Sequence, residues 1–107
     1  MKGESLGELE ELILLAVGSL SDQAYAVSIL EELRNQTGRT PDVTAVHSVL
    51  RRLEKKGFVN SSMGGATSER GGRRKRYFTM TTAGRKVLDD SMVTRMEMYK
   101  KLLTAQG

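Results

Sequence analysis

The segment TPDVTAVHSVLRRLEKKGFV, residues 40–59, holds a helix with both ends marked and the start of a strand. Thr40 is a capping residue, and Pro41 suits the first helical position, where a missing N–H goes unneeded. Val43, Val46, Leu50 and Leu53 recur at i, i+3, i+7 and i+10, which makes one apolar edge. Lys55 and Lys56 complement the negative end of the helix, and Gly57 suits the left-handed residue that stops it. On the other side lie Thr44, His47, Ser48, Arg51 and, towards the end, Lys55. One edge of this helix is made for a core and the other for water or a polyanion.

Upstream, residues 5–20 read as a first helix. Ser5 can cap it, Glu8 stands three residues on in capping-box spacing, and Glu8, Glu10 and Glu11 sit near its positive end. A turn over 19–23 offers Ser21 or Asp22 as the next cap. The second helix spans 23–36, with Ala26 or Val27, Leu30 and Leu33 as its apolar stripe, and Thr37-Gly38 ends it. Downstream, residues 58–63 form a short strand, GGATSERGG a glycine-rich loop, and Lys75 to Thr81 a returning strand with Phe78 and Met80 on one face. Thr81 or Thr82 caps a last helix of about 22 residues, roughly 33 Å long. The class is therefore mainly α with a small β-hairpin. Three helices, a hairpin and a further helix, in that order, describe a winged helix-turn-helix, in which the third helix enters the major groove and the wing lies along the backbone. Residues 1–82 make the DNA-binding domain and residues 83–107 a C-terminal dimerisation helix, the two forming one compact unit.

Charge is unevenly distributed. Residues 1–50 carry three basic and eight acidic groups, whereas residues 51–86 carry eleven basic and two acidic. Arg70, Arg73, Arg74, Lys75 and Arg76 crowd into seven residues of the hairpin. Like charges this close need a compensating partner, and phosphates displacing their condensed counterions provide one. The bland alternative is a solvated basic loop. Thr44, His47, Ser48 and Arg51 on the third helix, with Arg70, Arg73, Arg74 and Lys75 in the wing, are the candidate DNA-binding residues. His47, the only histidine, faces either DNA or solvent. Arg52 is expected to pair with Glu54 or with an acid of the first helix.

Other chemistries find little footing. There is no cysteine, which excludes disulfides, thiol catalysis and Cys-based zinc sites and fits a reducing cytoplasm. One histidine without neighbouring acids gives no metal site. The glycine-rich loop lacks a GK[ST] ending and precedes a strand, so it is not a phosphate-binding P-loop. No cofactor is implied, and neither an enzyme nor a membrane span is expected: the longest apolar run, LILLAVG at 12–18, is far short of the roughly 20 residues a span needs.

In the last helix Leu88, Met92, Met96, Tyr99 and Leu103 follow at i, i+4, i+8, i+11 and i+15. They can serve an intrachain core or a partner chain. A three-helix domain is too short to cover such a helix along its whole length, so the stripe is assigned to a dimer interface.

Four pieces, LGELEELILLAV, AYAVSILEEL, TGRTPDVTAVHSVLRRLEKKGFV and RGGRRKRYFTMTTAGRKVL, together resemble the PadR family of bacterial transcriptional regulators over residues 6–88. The single C-terminal helix is similar to that of its smaller subgroup. The family usually has Tyr where this chain has His47. The resemblance implies a homodimeric DNA-binding repressor on a pseudo-palindromic operator, with a last helix that dimerises with its mate. It also implies a small-molecule effector at the dimer interface. Two rivals stay open on the residues alone: a winged-helix protein-interaction module, and a small-molecule sensor with weak DNA binding.

Overall fold

The computed structural model describes residues 6–64 and 74–106. Helix α1 runs Glu8–Leu20, followed by a short 3-10 turn at Ser21–Gln23. Then come α2 (Ala26–Thr37), α3 (Val43–Lys55), the antiparallel strands β1 (Val59–Met63) and β2 (Arg76–Met80), and α4 (Thr82–Gln106). The strands pair in the register Val59 with Met80, Ser61 with Phe78 and Met63 with Arg76. Helices α1, α2 and α3 close on a core whose largest fully buried side chains are Ile13, Leu14, Ile29, Leu50 and Leu53. Val59 and Phe78 seal it from the hairpin side. The architecture is a winged helix-turn-helix with a long C-terminal helix.

Three helix starts differ from the local expectations, and at α2 a tertiary contact is involved. In α1 the cap is Gly7, whose N–H donates to Glu10 Oε1 at 2.9 Å. The reaching carboxylate is thus Glu10 rather than Glu8, and Ser5 lies outside the described residues. Helix α2 starts neither at Ser21 nor at Asp22 but after Tyr25. The reason lies across the fold: Ala24, buried and extended, accepts a hydrogen bond from Phe78 N–H at 2.8 Å. Residues 24–25 are therefore held extended beside β2, and the helix begins after them. Ser28 then caps backwards, its Oγ accepting from Tyr25 N–H at 3.0 Å. In α3 the cap is Asp42 rather than Thr40, accepting from Thr44 N–H at 3.2 Å. Pro41 falls one residue ahead of the cap, outside the helix.

The apolar stripes shift accordingly. In α2 the buried residues are Ile29 and Leu33, Leu30 is half-buried, and Val27 is 53% exposed. In α3, Val46, Leu50 and Leu53 are buried as expected, Val49 joins them, and Val43 at the mouth of the helix is 43% exposed. Gly57 takes φ 85°, the left-handed conformation that ends α3 and turns the chain into β1.

Two acids of α1 hold the frame. Glu10 has a side chain only 7% exposed, and its Oε2 accepts from Arg52 Nε at 2.9 Å and Lys56 Nζ at 3.1 Å. Glu11, equally sheltered, accepts from Ser91 Oγ and from Arg95 Nη2 at 2.9 Å. The first acid fixes α3 on α1, and the second fixes α4.

Burial by itself raises the Glu10 carboxyl. The hydrogen bonds from Gly7, Arg52 and Lys56, with the Lys56 charge, outweigh it and leave the group below its ordinary value. A depressed folded-state value means that this stabilisation is present above the ordinary carboxylate range and is lost as pH falls through the folded value. Glu10→Gln is therefore expected to cost about 1.5–3 kcal/mol at pH 7, the range for hydrogen bonds to a charged group. The gap in thermal midpoint between wild type and variant should close on acidification. A gap that stays constant from neutral pH to below the carboxylate range would refute the role given to this charge.

Candidate nucleic-acid interface

Successive residues of a helix are about 100° apart, so α3 divides cleanly. Val46, Val49, Leu50 and Leu53 face the core. Thr44, His47, Ser48, Arg51 and Lys55 are exposed on the opposite side. Within that exposed half the two neighbouring arginines part company. Arg52 is turned to Glu10, whereas Arg51 has no carboxylate partner among the described residues.

Helix α3 and the base of the hairpin share one concavity of about 860 Å³. From α3 it takes His47, Leu50, Arg51 and Glu54. From the hairpin it takes Arg74, Lys75, Arg76 and Phe78, and from the start of α2 it takes Tyr25, Ala26 and Val27. Leu50 and Phe78 are buried, so the floor is apolar, and the rim is cationic. The convergence expected of the third helix and the wing is present for His47, Arg51, Arg74 and Lys75. Thr44 and Ser48 are exposed on the same side of α3 but do not line this concavity. Arg70 and Arg73 lie outside the described residues.

Among the described residues the one acid on the rim, Glu54, is occupied. Glu54 Oε2 accepts from Ser61 Oγ at 2.8 Å, and Ser61 Oγ accepts from Arg76 Nη1 at 3.0 Å. The relay ties the end of α3 to both strands and holds the wing at a set angle to the helix. The side chains of His47, Arg51 and Arg74 make no hydrogen bond or ion pair with described residues.

The second candidate surface is α4. Leu88 is 5% exposed and belongs to the chain's own core, and Met92 is half-buried against it. Beyond them the same stripe emerges, with Met96 at 55%, Tyr99 at 54% and Leu103 at 54% exposure. Leu88 thus has little surface left for a partner chain, which corrects its place at the head of the interface stripe.

The model of the PadR-like transcriptional regulator family matches residues 14–90, most of the chain. The chain belongs to the PadR-like family. This is a family of transcriptional regulators rather than enzymes. A PadR family regulator from Clostridium difficile superposes with a TM-score of 0.78 at 21% identity, over 94% of this chain and 100% of that one. A transcriptional regulator from Clostridium thermocellum reaches 0.70 at 25% identity, over 91% and 87% of the two chains. The Bacillus subtilis PadR solved with operator DNA gives 0.67 at 17% identity, over 79% of this chain and 47% of that one. No curated protein matches significantly. Among the described residues, no helix of this PadR-family chain is long and apolar enough to cross a membrane.

Tyr25, Tyr77 and Arg76 escape the sequence reading as site residues. Tyrosine is scarce here, with three in the chain, and one directly follows the basic run. That adjacency was the available signal for Tyr77. Tyr25 has no such mark, because only the fold brings it to the hairpin.

Proposed function

We propose that this PadR-family regulator is a cytoplasmic homodimeric repressor that binds duplex DNA at a pseudo-palindromic operator. Residues 1–82 contact DNA and residues 83–107 pair the two copies. The supporting observation is the cationic rim shared by α3 and the wing base, whose cations have no carboxylate partner among the described residues. Thr44, His47, Ser48 and Arg51 face the major groove. Arg74 and Lys75, with Arg70 and Arg73, contact phosphate. The Bacillus subtilis relative was captured on operator DNA, and the same kind of ligand suits this rim. The stripe Met92, Met96, Tyr99 and Leu103 provides the twofold contact. A small-molecule effector at that interface changes the separation of the two α3 helices and releases the operator.

Salt titration tests the reading. With roughly eight phosphate contacts per dimer, log affinity should fall against log salt with a slope near −7, and a flat response would favour a protein-interaction module. The two adjacent arginines sharpen the test. Arg51→Ala should flatten the slope by about one for each lost phosphate contact, so by about two per dimer. Arg52→Ala should lower thermal stability, because Glu10 loses a partner, while leaving the slope intact. Equal slopes for wild type and Arg51→Ala would remove Arg51 from the interface.

A further inference from the structure

At the inner edge of the cationic rim, an aromatic pair connects α2 to the wing. Tyr25 and Tyr77 meet edge to face, with ring centroids 5.5 Å apart and planes at 70°. The Lys75 ammonium lies over the Tyr25 ring, 4.8 Å from its centroid. Both tyrosines are fixed from behind. Tyr25 is the cap residue of α2, and its N–H is held by Ser28. Tyr77 packs over Gly64, where an added Cβ would come within 2.6 Å of the ring. Gly64 N–H in turn donates to the Lys75 carbonyl at 2.6 Å, so the backbone beneath the lysine is pinned as well.

A lysine on a hairpin ordinarily samples many rotamers, and ordering it on a ligand costs entropy. A ring face beneath the ammonium removes much of that freedom in advance. The contact occupies one side of the ammonium, and Lys75 remains exposed. Tyr25 is half-exposed, and its hydroxyl has no partner among the described residues. We infer that Tyr25 is a positioning residue for nucleic-acid binding: its ring, braced by Tyr77, presents the Lys75 ammonium to a backbone phosphate of the duplex. This rests on the DNA-binding reading above and deepens it, since among the described residues Arg74 and Arg76 have no such platform.

The test is a double-mutant cycle on full-length protein, using a duplex of random sequence across a salt series. Lys75→Met should flatten the slope by about one per protomer. Tyr25→Leu, which keeps apolar volume but removes the ring face, should lower affinity roughly three- to tenfold at fixed salt, in line with one cation–π contact. On the Lys75→Met background it should do almost nothing. Tyr25→Phe keeps the face and should restore most of the loss. Thermal melts verify that each variant folds. Should Tyr25→Leu not fold, Tyr77→Leu removes the brace from the other side and must show the same dependence on Lys75. Additive losses from Tyr25→Leu and Lys75→Met, with wild type still salt-dependent, overturn the positioning role and leave the DNA reading standing. A salt-independent wild type overturns the DNA reading itself.

Discussion

Gly84→Ala is expected to lower the thermal midpoint by roughly 10–20 °C, corresponding to about 2–3 kcal/mol of overpacking. Gly84 is buried near the start of α4, and a Cβ built there runs into the carbonyl oxygen of Phe58. That carbonyl cannot easily retreat. Phe58 donates to Leu53 O at 2.9 Å, and its own oxygen accepts from Thr81 N–H at 3.0 Å. Thr81 also donates through Oγ1 to Gly57 O at 2.7 Å and accepts from Gly84 N–H at 3.0 Å. The end of α3, the start of β1 and the start of α4 are therefore laced through backbone groups and the Thr81 hydroxyl, and the first atom an added Cβ meets is backbone. Gly38→Ala is the control. Gly38 has φ 75° but open space around its Cβ position, so only left-handed strain of about 1 kcal/mol applies. If the two variants melted together, the close approach of α4 to Phe58 would be disproved.

Met96→Asp combined with Leu103→Asp is expected to convert the protein to monomers and to reduce operator affinity by a factor on the order of 10²–10⁴. That is the advantage of two linked half-site contacts over one. The expectation depends on the proposed pairing through α4. From residue 93 to 105 every residue is exposed in the single chain, yet the helix continues to Gln106. At 25 residues it is about 38 Å long, and its distal half leaves the body of the domain. Helices without tertiary support are marginal in water, so a partner surface is the natural source of its stability. A carboxylate on the stripe would have to be buried unpaired in any such interface. Sedimentation gives the assembly state, and titration of a two-half-site duplex gives the affinity. A doubly substituted protein that still sedimented as a dimer would exclude this stripe as the contact.

Much of the architecture was legible in the residues because it depends on periodicity. The α3 edge of Val46, Leu50 and Leu53 and the alternation through Phe78 and Met80 each follow from one geometric repeat. Helix starts were less legible. Three start signals lay elsewhere than expected, the capping-box acid Glu8, the cap at Ser21 or Asp22 and the cap Thr40, because several residues able to cap stand close together in each stretch. For α2 the chooser is a hydrogen bond from Phe78 to Ala24, contributed by a strand far along the chain.

The candidate site divides the same way. Its electrostatic sign and its two components, helix and wing, are properties of composition and order. Which cations remain available is not. Arg51 and Arg52 are neighbours with the same chemistry, but a residue step turns the helix by about 100°. That brings Arg52 to a carboxylate 42 positions away and leaves Arg51 outward. The handover on α4 from core at Leu88 to open stripe at Met96 likewise depends on where α1 begins beneath it, since Arg95 already meets Glu11 in its first turn. Local spacing encodes which residues share a face, so the chain alone determined the elements, their polarity and the family. Only packing decides what each face meets, and so the tertiary structure decided the paired and unpaired charges and the tyrosine beneath Lys75.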